Sequence, residues 1–390
     1  MIEGWVTALD WAPELHAAAA SLAARRSAEP AAPAPAPAPL SFARFCEDEA
    51  RLRGWRRLET AASLPMQGHA FAAALATTLL ADAHVEIFFV PESGSVEALL
   101  PLCRGAGPFG RWRMIGARHV FEPGDALCRT PQAAGPLAEA IVRSGRAVEL
   151  ERIPADSPLI PALGAALRGR GWMSVRPWTP APTIKLDESW KDPASRFNPG
   201  RRSDLRRAAR RASEFGEVSY EMLSPGPAEF DALFDEAIDV EERSWKRESG
   251  TAIASCRAKE RFFRDLFRSA AEQGLFRIAF MRIDGRIVAM QMALEWQGRY
   301  WLFKIGFDEQ FGRCSPGTLL MLHTIGWAAQ RQLTAFELLG NVEPWIAQFW
   351  TREQHDCVCL RAYPFNARGA VALAADAIVW LRARLARAGA

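Results

Sequence analysis

Hydrophobic positions along this chain repeat with two different periods, and the change from one to the other marks out its elements. Between residues 259 and 272, Phe262, Phe263, Leu266, Phe267 and Ala270 recur at helical spacing, and Gly274 is placed to end the helix. The pattern then shifts to extended runs at Phe276–Ile283, Arg286–Trp296 and Arg299–Phe307. Asp284-Gly285 and Gln297-Gly298 join these runs, and Asp-Gly is a strong two-residue hairpin signal. A loop over 308–315 leads to a helix at Pro316–Gln330, opened by a proline whose missing N–H costs nothing there. A strand over 335–339 follows and stops at Gly340. The predicted order is helix, three antiparallel strands, helix, strand: an α+β layout with helices packed on one sheet.

The first half repeats that order loosely, without matching residues. Strands are expected at 84–90, 96–103, 112–115, 148–153 and 172–175, and helices at 136–144 and 158–168. The proline-rich stretch 177–182 suggests a boundary, and the alternating Ala-Pro run 29–40 a semi-rigid spacer after a helical piece at 9–26. The expected divisions are 1–40, 41–185, 186–365 and a C-terminal helix in 366–390. Arg382, Arg384 and Arg387 crowd the end of that helix, where cations suit the dipole, with weak membrane association as the alternative.

Composition narrows the class. Apolar residues are 49% and charged residues 24% of the 390, ordinary for a globular chain and against global disorder. Forty-eight basic and 45 acidic residues give +3, so bulk charge supplies no ground for DNA binding. The seven cysteines are odd in number and scattered, which suits a reducing compartment and offers no metal framework. Cys357 and Cys359 would share one face of a strand, as packing residues. Neither a signal-peptide pattern nor an apolar run of about 20 residues is present, so a cytoplasmic chain without a transmembrane segment is expected.

Specific blocks carry a resemblance. They are Ser244-Trp245-Lys246 followed by Gly250-Thr251-Ala252, then 283–289 (IDGRIVA), 303–308 (FKIGFD), 315–320 (SPGTLL), and Gly340-Asn341-Val342-Glu343-Pro344-Trp345 followed by Trp350. Their order and spacing resemble the CelD/BcsL family, in the FemAB-like branch of GNAT proteins associated with bacterial cellulose and other envelope polysaccharides. The resemblance is strong over 185–364, weaker over 42–182 and absent from the first forty residues. It implies tandem GNAT-like domains, mixed sheets flanked by helices, and an acyltransferase working by direct attack on a thioester. The implied donor is acetyl-CoA or another acyl-CoA, with acyl carrier protein as an option, and the implied acceptor is a small molecule or glycan precursor. Aminoacyl transfer from tRNA and a non-catalytic binding module are the alternatives.

Under that reading, the stretch 300–307 would supply a backbone N–H for the donor carbonyl, and the next helix start would bind pyrophosphate. Arg313, Ser315, Gly317 and Thr318 stand where GNAT proteins carry their phosphate loop, but with one residue too many and with Pro316 lacking an N–H. A plain helix start capped by Ser315 is the alternative. Lys304 breaks an otherwise apolar strand and is expected to face a cleft or an acid. Asp308 and Glu343 are candidate bases, beside Glu295, Glu309, Glu337, His323 and His355, with loop-fixing or packing roles as alternatives. Trp245, Lys246 and Trp345 are acceptor-site candidates, and Phe349 and Trp350 share the Trp-rich rim. Finally, Arg201, Arg202, Arg206, Arg207, Arg210 and Arg211 lie on one helix. The face bearing Arg202, Arg206 and Arg210 would meet phosphate groups, an acidic carrier protein, tRNA or an anionic membrane surface, unless Asp231, Asp235 and Glu236 neutralise it.

Overall fold

The computed structural model describes residues 37–92, 95–244, 246, 250, 252–340 and 343–388. The expected helical piece at 9–26, most of the Ala-Pro run, and Trp245 lie outside them.

The strands are β1 (Leu40–Ser41), β2 (His84–Glu92), β3 (Ser95–Arg104), β4 (Trp112–Met114), β5 (Leu127–Cys128), β6 (Val148–Pro154) and β7 (Gly171–Lys185). They continue as β8 (Val218–Leu223), β9 (Phe276–Ile283), β10 (Arg286–Trp296), β11 (Arg299–Phe307), β12 (Ala335–Glu337) and β13 (Gln354–Pro364). Helices α1 (Phe42–Cys46), α2 (Glu49–Leu58), α3 (His69–Thr77), α4 (Ala134–Arg143) and α5 (Leu159–Ala166) belong to the first half. The second half holds α6 (Pro199–Phe215), α7 (Pro227–Glu242), α8 (Arg257–Glu272), α9 (Pro316–Gln330), α10 (Pro344–Phe349) and α11 (Ala367–Ala388).

The three-strand meander forms where the two turn pairs require it. Asp284 and Gly285 take φ of 46° and 75°, and Gln297 and Gly298 take 49° and 67°. Positive φ at both central residues gives the turn whose twist suits a two-residue hairpin. One face of the meander carries Ile278, Phe280, Met290, Met292 and Phe303 against Phe230, Phe234, Phe262, Phe263 and Phe267 of α7 and α8. The other face packs Ala279, Met281 and Ala289 on Leu319 and Leu320 of α9.

Among the described residues all strands join in one sheet, ordered β1-β2-β3-β4-β6-β13-β7-β12-β11-β10-β9-β8, with β5 on β3. The late strand β13 lies between β6 and β7, antiparallel to both. The proline-rich stretch 177–182, read from sequence as a boundary, sits inside β7, a 15-residue strand. Over 171–182 only β13 borders β7, so a proline lacking its N–H can face the open edge. The aromatic core also crosses between halves, with the Phe71 and Phe262 rings edge-to-face at 5.5 Å. Residues Ala36–Ala390 form one unit. Cys357 and Cys359 are both buried in β13, as packing on one face required.

Candidate active site

β12 runs parallel to β11 only from Arg299 to Trp301, so the two strands part beyond that point. The parting opens a cleft with a different environment at each end.

On the α9 side lies a cavity of about 390 Å3. Its walls are Ile305 and Phe307 of β11, Gly317, Thr318 and Met321 of α9, and Glu343, Trp345 and Phe349 around α10. Gly317 packs closely here: a Cβ would stand 3.3 Å from the Phe307 ring, which would have to shift slightly to admit it. The lining is mostly apolar, with Gln291 in the floor. The Gln291 Nε2 lies 3.6 Å from Met321 Sδ, while its buried Oε1 has no hydrogen-bond partner. A buried amide oxygen without a donor is costly unless a ligand supplies one.

On the opposite face of the sheet is a cluster of charged groups. In β11 the register shifts by one residue, with Met292 facing Lys304 and Ala293 facing Leu302. The bulge turns Lys304 toward the α7–α8 side, where its Nζ sits 4.1 Å from the Phe263 ring centroid. Lys246 Nζ donates to Glu241 Oε1 at 2.7 Å and to the Ile305 carbonyl at 2.6 Å, and Glu241 Oε2 accepts from the Ile253 N–H. Because Ile305 sends its carbonyl off the open edge of β11, its N–H points off the same edge.

The first half supplies the other wall. Arg152 is fully buried in a strand yet has φ of 56°, and this left-handed backbone turns its side chain into the body. It donates to the Phe121 and Gly340 carbonyls, so it ties the first half to the end of β12. Phe121 and Leu339 also have positive φ, and such strain gathers at functional sites. Next to Phe121, Glu122 is buried and its Oε2 lacks a partner. Burial pushes the Glu122 carboxyl up to about 7, against the pull of Arg152 and Lys304. Burial, aided by the Lys246 charge, lowers Lys304 to about 8, with Glu241 and Glu122 opposing. A buried acid and a half-buried base with pKa values displaced toward neutrality are what proton-handling sites use.

The residues expected from sequence divide accordingly. Lys304 and Lys246 meet at the charged end; Gly317, Thr318, Glu343 and Trp345 line the apolar end. Asp308 does neither. It is buried, accepts from the Gln310 N–H, and pairs with Arg243 at 3.1 Å and Arg286 at 2.5 Å, so it fixes the loop before α9. Glu337 is held by Arg299 and His355, Glu295 by Arg277 and Arg331, and His323 stacks on Tyr220. Glu343 is exposed and accepts from Trp345 Nε1 at 2.6 Å. Ser315 stands at the α9 N-cap in a left-handed conformation and its side chain makes no cap bond, so the expected Ser cap does not form. Its amide bonds to Gly312, and the amides of Thr318 and Leu319 turn back on its carbonyl.

On α6, Arg207 and Arg210 pair with Asp204 and Glu214 of the same helix. Asp231, Asp235 and Glu236, the expected neutralisers, are taken by Arg264, Arg268 and Arg282. Arg202, Arg206 and Arg210 do not reach the cleft. Arg201 lies over the ring of Phe349, a cavity-wall residue, at 3.4 Å, and Arg211 donates to the Arg313 carbonyl in the loop before α9. Glu122, Arg152 and Glu241 were not visible in the sequence as a site.

Residues 199–345 match the family model described as an acetyltransferase (GNAT) domain. No curated protein matches the chain. Among solved structures, FemX is similar at 10% identity with a TM-score of 0.52, covering 81% of this chain and 96% of that one. A conserved protein of unknown function from Bacteroides thetaiotaomicron VPI-5482 is similar at 11% identity with a TM-score of 0.50, covering 80% and 97%. The chain thus has the GNAT fold, and the segment that builds most of this cleft is the one that matches the GNAT domain model.

Proposed function

We propose that this protein moves an acyl group from a thioester donor in the apolar end of the cleft to an amine or hydroxyl of an envelope polysaccharide precursor at the charged end. The carrying observation is the two-ended gap between β11 and β12, with an apolar cavity on one side and the Glu122–Lys304 pair on the other. The resemblance to the CelD/BcsL blocks supplies the acceptor class, and the first half contributes Glu122 and Arg152 to the acceptor wall. Acyl-CoA is the first choice of donor.

The acceptor nitrogen or oxygen attacks the thioester carbonyl and passes its proton to Glu122. The Ile305 N–H and the Lys304 ammonium hold the oxyanion. The C–S bond then breaks, and the departing thiolate takes a proton from Lys304, whose value near 8 is close to that of a free thiol. Proton return from Glu122 to Lys304 resets the site. Lys246 acts by holding β11 at Ile305, rather than by touching the reacting atoms.

A second reading rests on the α9 start. Pro316 has no N–H, and Thr318 and Leu319 have turned theirs inward, so few amides remain for a diphosphate. That favours a donor on a carrier protein or tRNA. Calorimetric titration with acetyl-CoA tests the first reading: micromolar binding, weakened by Met321→Trp, is expected. No heat with acetyl-CoA, together with turnover that disappears on RNase treatment, would move the donor to aminoacyl-tRNA.

A further inference from the structure

The surface that folding explains least is the far end of α11. Its first turns are docked: Ala372 is buried, Arg111 donates two 2.9 Å bonds to Asp376, and the Tyr363 hydroxyl donates to the same carboxylate at 2.5 Å. Among the described residues, none on the helix beyond Asp376 hydrogen-bonds to the body. There Val379, Trp380, Leu381 and Leu385 are 65%, 49%, 50% and 70% exposed. They occupy more than one side of the helix, and an apolar helix left in water is normally covered by something. The exposed rings of Trp172 and Trp178 on β7 extend the patch, and with α11 they bound a groove of about 520 Å3.

Charge identifies the cover. From 377 to 390 the sequence holds Arg382, Arg384 and Arg387 and no acidic residue. The one acid just before, Asp376, is neutralised by Arg111 and Arg361. Arg384 lies over the Trp380 ring at 5.3 Å, and exposed Arg176 lines the groove. Indole rings beside guanidinium groups on an apolar helix suit the boundary between lipid headgroups and acyl chains. A second copy of the chain, pairing the same patch about a two-fold axis, would set arginine against arginine. No described helix is long and apolar enough to cross a membrane, so α11 would lie in the interface.

We propose that the distal turns of α11, with Trp172 and Trp178, dock the protein on an anionic phospholipid bilayer. Co-sedimentation of the full chain with vesicles of phosphatidylglycerol and phosphatidylcholine, and with phosphatidylcholine alone, tests it. Binding to the mixed vesicles, much weaker to phosphatidylcholine and reduced by salt, is expected. Arg382→Glu with Arg384→Glu lowers the partition coefficient roughly thirtyfold or more, at about one order of magnitude per 1.4 kcal/mol and about 1 kcal/mol for each arginine. Leu381→Asp with Leu385→Asp abolishes binding. Both variants keep the parent melting temperature, because these side chains hold nothing in the body. Equal binding to both vesicle types, binding unchanged by both variants, or a lipid-independent dimer that the Leu381/Leu385 variant splits would overturn the proposal.

Discussion

At the scale of single residues, the chemistry is a matter of two displaced protons. Lys304 was legible in the sequence because an ammonium in an apolar strand needs a reason. Glu122 was not, because its site is assembled by Arg152 and Gly340, residues 188 positions apart. With Glu122 acting ionised and Lys304 acting protonated, kcat/KM should rise with pH through about 7 and fall through about 8. Glu122→Gln should remove the acid limb and most of the turnover, and a variant that keeps that limb would exclude Glu122 as the base. Lys304→Ala should abolish turnover with the melting temperature unchanged within a few degrees. Stability gives an independent reading of the acid. Its folded pKa is raised, so the native state binds more protons than the unfolded chain between the ordinary carboxylate range and about 7. Stability therefore falls as pH climbs through that window. Buried Asp125, also raised to about 7, contributes in the same direction. Glu122→Gln should flatten the slope in part, measured as urea midpoints against pH.

At the scale of elements, the hairpins were legible because each depends on two adjacent residues, and the helix over 257–272 because three phenylalanines, a leucine and an alanine recur at helical spacing on one stripe. β7 was hidden by its prolines, which the open edge accommodates, and α7 by the many acids interleaved in sequence with the buried Phe230 and Phe234. At the α9 start the sequence puts Pro316, without an N–H, where GNAT proteins carry their phosphate loop, and in the structure the Thr318 and Leu319 amides bond back to the Ser315 carbonyl. Pro316→Ala adds one N–H at a position where helix stability barely depends on it. If a CoA diphosphate binds there, acetyl-CoA affinity should tighten about tenfold or more, the worth of one hydrogen bond to a charged group. Unchanged affinity, read by the same calorimetry, would place the diphosphate elsewhere and strengthen the carrier-protein and tRNA reading.

At the scale of the whole molecule, the order of strands could not be read from local pattern, because β13 leaves the second half to lie between β6 and β7. Nothing within residues 354–364 says which edges it will join; that depends on pairings formed with strands 170 and more residues earlier in the chain. The consequence is shared folding. Without β13, β6 and β7 would each expose a long run of unpaired backbone groups, and Leu360 and Ala362 would leave the core that holds Leu137, Ile141 and Leu150. The Phe71–Phe262 contact makes the dependence mutual. A fragment of residues 37–185 should therefore show no cooperative melt and little protection from hydrogen exchange. The intact chain should unfold in one calorimetric transition whose enthalpy equals its van't Hoff value. Two separated transitions, or a fragment that melts cooperatively alone, would show that the halves fold independently and that the cleft between β11 and β12 is held from one side only.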